Sequence, residues 1–324
     1  VQTCALPILR RAGSTTELQL TGRGGVPRAD ARSVLLSITV TGAAKAGTIT
    51  AYECGTVRPS VSNLNYRAGR TATAAVVAPL DGTGKTCLYT SARTHLAADV
   101  LAYLPSTTAG GINTARLLDT RPDSSTVDGQ GRAGGPLAPG TAIEVTVAGR
   151  ASVPGSSVGA ALLGVTVIDA SKAGALSVYP CGSTPPAVPN VTYGAGTRVT
   201  GTVLSRLGTS GRVCIDGTRA SDLAVDVYGY FRGITANFTD TPPRLMDTPI
   251  GGTTVDTVSA ATGPLPAKST TKLAIAGRGN VPDAAVGSVA IDITVSNAAR
   301  SGSLTLYPCG ARRPALPTLS FAGK

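Results

Sequence analysis

The chain has no tryptophan, one methionine and a single histidine in 324 residues, and aromatic residues make up only 4% of it. Without tryptophan the common stacking platform of a sugar-binding face is missing, and nine tyrosines are the main aromatic resource left. A Ser/His/Asp arrangement needs a base held beside a nucleophile, and His95 is the only residue of that type. No apolar run nears the roughly 18 residues of a membrane-crossing helix; among the longest is 160–168. Eighteen acidic residues are too sparse to nominate a glycosidase carboxylate pair. Clustered His/Cys ligands and a GxxxxGK[ST] loop are both absent, so no metal, cofactor or enzymatic signature is found. The 29 basic residues give a net charge of +11 but are scattered, mostly Arg, and never interleaved with aromatics. A specific nucleic-acid partner is not expected from that pattern. A diffuse positive surface suits an anionic cell wall or extracellular polysaccharide instead. The charge pattern specifies no oligomeric state.

What the chain does have is an internal repeat of domain length. Gly149-Arg150-Ala151-Ser152-Val153-Pro154 falls on Gly22-Arg23-Gly24-Gly25-Val26-Pro27 at an offset of 127, and on Gly277-Arg278-Gly279-Asn280-Val281-Pro282 at 128. Cys54, Cys181 and Cys309 keep the same offsets. His95 aligns with Asp222, so it reads as a surface or turn residue and not as a catalytic base. The middle copy, residues 116–231, is complete. Module one, 9–104, lacks the first strand, and module three, 244–324, stops before the second cysteine and the closing strand. Residues 105–115 and 232–243, rich in Pro, Gly, Ser and Thr, read as linkers. Residues 1–8 match neither later repeat and correspond to a translated sequencing-library adapter, so they are set aside as an artefact.

Forty Gly, 22 Pro and short alternating runs of Val, Thr, Leu and Ala describe an all-β chain. Ile143, Val145 and Val147 alternate with Glu144 and Thr146, the period of a strand with one buried face. Val34, Leu36, Ile38 and Val40 align with Ala161, Leu163, Val165 and Val167, and these with Val289, Ile291, Ile293 and Val295. About eight such runs in the middle copy predict tandem β-sandwich, jelly-roll-like modules. Tyr52, Tyr179 and Tyr307 recur beside the cysteine strand and are expected in the core.

Cys54 and Cys87 are 33 apart, as are Cys181 and Cys214. One disulfide within each of the first two modules is the economical reading, against free thiols buried at equivalent core positions. Each bridge would stabilise its module by on the order of 4 kcal/mol in the chain-entropy model and implies an oxidising compartment. Cys309 would have no partner.

Asp99 and Asp226 stand mid-strand among apolar neighbours, and Arg23, Arg150 and Arg278 recur where the next loop begins. A charge so placed needs a partner. The favoured reading is an Arg–Asp pair tying the first or second strand of a module to its last, with Arg116 or Arg150 meeting Asp226; the alternative is a sugar or anion site. Asn63 and Asn190 are expected to satisfy turn backbone.

Arg116-Leu117-Leu118-Asp119-Thr120-Arg121, the Gly22–Pro27 segment, Ser62-Asn63-Leu64-Asn65-Tyr66 and Asp226-Val227-Tyr228-Gly229-Tyr230-Phe231 resemble a module repeated in secreted actinobacterial proteins, alone or beside cell-wall hydrolases. The resemblance implies an extracellular or cell-surface location and no particular reaction. Module three departs from it with Pro249 in place of Arg121, and module one with Ala102-Tyr103-Leu104 in place of Gly229-Tyr230-Phe231. The expected function is a non-catalytic structural spacer or adhesive array, with a carbohydrate-binding module as the alternative.

Overall fold

The computed structural model describes residues 8–324 except 106, 108, 187–188, 234–242, 285, 288, 292, 315–317, 322 and 324. Residues 1–7, with Cys4, and most of the expected 232–243 linker lie outside the described residues. The chain divides into a larger unit holding the first two modules and a smaller one holding the third. Among the described residues the architecture is all-β, with one 3₁₀ turn at Thr209–Gly211 and no α-helix.

Module one contains β1 (Ile8–Arg10), β2 (Ser14–Gln19), β3 (Ala31–Thr41), β4 (Gly47–Glu53), β5 (Leu64–Tyr66), β6 (Ala72–Pro79), β7 (Lys85–Thr90) and β8 (Thr94–Pro105). Module two contains β9 (Ala109–Asp119), β10 (Ile143–Thr146), β11 (Val158–Ile168), β12 (Gly174–Pro180), β13 (Val191–Tyr193), β14 (Val199–Arg206), β15 (Arg212–Gly217) and β16 (Asp222–Arg232). The sheets run β1-β8-β3-β6 and β2-β7-β4-β5 in the first module, β9-β16-β11-β14 and β10-β15-β12-β13 in the second. In each copy the first strand pairs with the eighth, the second with the seventh, the third with the sixth and the fourth with the fifth, all antiparallel. Four stacked pairs of this kind are one long hairpin rolled into two sheets, the jelly-roll arrangement.

The alternation expected from sequence sets the faces. Val34, Leu36, Ile38 and Val40 are buried between the sheets of module one, and Ala161, Leu163, Val165 and Val167 between those of module two. The β3–β8 ladder shifts register between Leu35 and Leu36 and the β11–β16 ladder between Leu162 and Leu163. That is the same bulge in both copies, so the register is specified by the repeat and is not incidental.

Three expectations change. Residues 109–115, read as linker, form the first half of β9, so strand β8 and strand β9 are separated by three residues only. Their apolar residues Ala109 and Ile112 are buried, which a solvated linker would not allow. Ile8, set aside with the adapter residues, pairs with Leu96, so module one has a residual three-residue strand at the position β9 occupies in module two. His95, read as a surface or turn residue, is half-buried within β8 opposite Thr41.

The two modules of the larger unit pack sheet against sheet. Val77, Leu35 and Leu104 from module one meet Leu162, Leu204, Tyr228 and Phe231 from module two. At this interface Gly164 lies under the Tyr228 ring, and a Cβ there would collide with it. The Asn63 amide donates to Thr114 Oγ1 at 2.6 Å, tying the loop before β5 to β9.

The smaller unit, taken by itself, has β17 (Gly302–Leu304) paired antiparallel with β18 (Leu319–Phe321). The alternating run at 289–295 forms no strand among the described residues. Alternation alone does not make a strand: the ladder needs a neighbour, and among the described residues this run has none.

Candidate functional site

The polar residues singled out in the sequence sort into one built cluster, one recurring loop clasp and one carboxylate left alone. The cluster lies where β9 crosses β16. Arg116 Nε and Nη2 donate to the two oxygens of Asp226 at 2.8 and 3.2 Å, and Nη1 donates to Asp119 Oδ2 at 2.7 Å. Arg121 closes on Asp119 from the other side, with Nε to Oδ1 at 2.9 Å and Nη2 to Oδ2 at 2.7 Å. Asp119 and Asp226 are 1% and 2% exposed, so both charges depend on these guanidinium groups. Burial pushes the Asp119 carboxyl up, but the Arg121 hydrogen bonds and the Arg116 charge outweigh it and hold the group below its ordinary value. Deeper burial pushes Asp226 up, against the pull of Arg116. Thr120 extends the seam by donating to Asp222 at 2.7 Å and accepting from the Leu223 amide.

Arg150 does not meet Asp226. It grips Asp128, through Nε at 2.7 Å and Nη2 at 2.6 Å, and also donates to the carbonyls of Thr146 and Gln130. Arg278 repeats the motif with Asp256 at 2.6 and 2.7 Å and the carbonyls of Ala274 and Val258. Asp128 and Asp256 were not singled out from sequence, although each stands 22 residues before its Arg and the two are 128 apart. Arg23, in module one, donates to the Gln19 carbonyl at 3.3 Å. Asp99 pairs with Ser37 across the ladder but makes no side-chain hydrogen bond or ion pair among the described residues. Burial pushes its carboxyl up from the ordinary value.

Cys54–Cys87 and Cys181–Cys214 are bonded, as the 33-residue spacing indicates. Cys309 is free and exposed. Glu144 lies near both sulfurs of the second bridge, but sulfurs bonded to one another offer no thiolate for a metal. Asn63 and Asn190 each accept from a backbone amide at 2.6 Å, but from Ala51 in β4 and Val178 in β12, so the backbone they satisfy belongs to strands and not to the expected turn. Tyr52 and Tyr179 are buried and Tyr307 is half-buried. Both side-chain oxygens of Asp119 accept from Arg116 or Arg121 and both of Asp226 accept from Arg116, so the cluster joins β9 to β16.

No family model and no curated protein matches the chain. Among solved structures, it is similar to the STIV MCP, with 6% identity and a TM-score of 0.31 over 71% of this chain and 95% of that one. It is also similar to the N-terminal tandem CBM22 domains of Xyn10C from Paenibacillus barcinonensis, with 11% identity and a TM-score of 0.20 over 69% of this chain and 92% of that one. Likenesses this slight carry no functional argument.

Proposed function

We propose that the chain is a non-catalytic, extracellular structural array, in which jelly-roll modules serve as a spacer or adhesive segment. The observation that carries this is the contact between modules one and two. Leu35, Val77 and Leu104 against Leu162, Tyr228 and Phe231, together with the Asn63–Thr114 bond, make an apolar joint where a hinge would have stood. A flexible tether would expose these side chains, whereas packing them favours a body of fixed length. The recurring charged residues support the same reading, since Arg116, Asp119, Asp226, Arg150 and Asp128 are engaged with one another. The two disulfides support an extracellular or cell-surface location.

The joint is tested by NMR relaxation on the full chain. The strands of the first two modules should tumble with one shared correlation time; two independent times would overturn the fixed-length reading. The alternative, a carbohydrate-binding module for cell-wall or extracellular polysaccharide, is tested on a glycan array and by polysaccharide pull-down. Saturable retention at physiological salt would replace the spacer with that role.

A further inference from the structure

We propose that one end of module one, the end where β1 finishes and β8 begins, binds an acidic polysaccharide. Its carboxylate or phosphate groups are held by Arg10, Arg11, Lys45, Arg67, Arg70 and Arg93. The choice of polymer rests on the extracellular reading above, the site itself does not, and the test separates the two.

Scattered along the sequence, these six residues are brought together by the rolled hairpin. The β1–β2, β3–β4, β5–β6 and β7–β8 turns, residues 11–13, 42–46, 67–71 and 91–93, close the same end of the sandwich. Gly69 donates to the Ala43 carbonyl, Gly13 to the Thr90 carbonyl and the Tyr66 hydroxyl to the Ala92 carbonyl, so the turns form one surface. None of the four turns contains Asp or Glu, and neither do residues 1–7. Arg11, Lys45, Arg67, Arg70 and Arg93 are exposed and Arg10 is half-buried. Among the described residues none of the six side chains makes a hydrogen bond or ion pair. Module two has Asp169 and Asp222 at the positions of Gly42 and His95, and Gly194, Thr197 and Ala220 at those of Arg67, Arg70 and Arg93. The charge therefore belongs to one module and is no requirement of the shared fold.

The joint with module two lies elsewhere. It uses the outer sheet face at Leu35, Val77 and Leu104, and the β4–β5 turn at the opposite end, where Asn113 accepts from the Glu53 amide and donates to Thr56. Six like charges gathered without a counter-charge repel one another and destabilise the fold, and a ligand of opposite charge removes that repulsion. Five of the six are Arg, whose planar fork matches a carboxylate or phosphate with two parallel hydrogen bonds. The end of two four-stranded sheets measures roughly 10 by 15 Å, so it takes several acidic groups of one chain at once. Single-stranded nucleic acid is disfavoured because the turns offer no aromatic on which a base could stack; neighbouring Tyr66 is 4% exposed. A membrane is disfavoured because the turns carry no apolar side chain larger than Ala to enter the lipid. In the oxidising compartment that the two disulfides support, an acidic glycan is the flexible polyanion that fits.

The test uses the full chain and fluorescence anisotropy with two labelled probes: an oligogalacturonate, whose acid is a carboxylate, and a phosphomannan oligosaccharide, whose acid is a phosphate. Saturable binding of at least one is expected, weakening as salt is raised, and the tighter probe identifies the acid. The triple variant Arg67→Gln, Arg70→Gln, Arg93→Gln should weaken it about tenfold, as expected for the loss of three exposed ion pairs. The control triple Arg28→Gln, Arg32→Gln, Lys172→Gln removes the same charge elsewhere and should change it by less than about twofold. NMR on the parent chain reads the site without any variant: amide shifts on adding the tighter probe should centre on residues 42–46, 67–71 and 91–93. Binding of neither probe, equal weakening by both triples, or shifts spread over the molecule would each overturn the site. Tighter binding of a DNA duplex or of anionic phospholipid vesicles at equal charge would overturn the polysaccharide. The fixed-length joint is read by relaxation and is untouched by either result.

Discussion

Arg116 holds both oxygens of Asp226 across the β9–β16 seam, and the equivalent carboxylate of the first module, Asp99, is held by nothing among the described residues. The same sequence position is thus a closed clasp in one copy and an open one in the other. In module two, Arg116→Ala strands the 2%-exposed Asp226 and should lower unfolding stability by roughly 3 kcal/mol, because an unpaired buried charge costs more than the pair contributes. Combining it with Asp226→Ala should recover part of that loss, giving a coupling of at least about 1 kcal/mol. Urea unfolding followed by tyrosine fluorescence measures it, the absence of tryptophan leaving a clean signal. Additive losses would mean that the two side chains do not act as a pair.

Asp99 predicts the opposite sign. Its carboxyl is pushed up by burial, so the folded chain still binds the proton at a pH where the unfolded chain, near 3.8, has lost it. Stability therefore falls as pH rises through the interval above 3.8 and stays lowered beyond the folded value. In dilute solution Asp99→Asn should raise the thermal midpoint at neutral pH and leave it unchanged well below 3.8. A variant that melts lower at neutral pH would show that the charge is stabilised after all.

Asp128 titrates the other way. The Arg150 hydrogen bonds hold its carboxyl below the ordinary 3.8, so the stability it adds is present above that pH and is lost as pH falls through the folded value. Asp128→Asn should cost about 1–2 kcal/mol at neutral pH, where Arg150 is left half-satisfied, and nothing once acid has protonated the native carboxyl. Denaturation midpoints of parent and variant should converge on acidification; parallel curves would rule out the ionised pair as the cause.

Much of the fold was legible because its signal is periodic. Val34 to Val40 and Ala161 to Val167 alternate, and a face that alternates in two copies at one offset can only be the shared core. Asp226 advertised its need for a partner by standing mid-strand, and Arg116 supplied it. Asp128 was missed although the repeat carried it, since an acidic residue in a Gly-rich loop looks solvated until its distance to Arg150 is compared across copies. The module joint was missed for a different reason. Leu35 and Leu162 are equivalent positions, as are Val77 and Leu204, and they point away from their own cores. Outward apolar residues in a strand register as ordinary surface unless a partner surface is known. The run 289–295 shows the converse, a period for which no ladder is formed among the described residues.

The joint itself gives the last prediction. Gly164 sits in the extended β11 strand, so Ala is conformationally harmless there and its cost is purely steric: the new methyl would enter the space of the Tyr228 ring. Tyr228 is 1% exposed and lies in the joint cluster with Leu35 and Val77, so a displaced ring presses on the first module. Gly164→Ala should therefore cost roughly 1–3 kcal/mol of overpacking. It should also split the shared tumbling of the two modules into separate motions in NMR relaxation. Thr114→Val removes the acceptor of the Asn63 amide without adding bulk and should loosen the joint by about 1 kcal/mol while leaving both sandwiches intact. Hydrogen exchange separates the outcomes: protection should fall at β6 and β9, which face the joint, and hold at Leu36 and Leu163 in the two cores. Loss of protection throughout module two on Gly164→Ala would instead make Tyr228 a core residue of its own sandwich and the joint incidental.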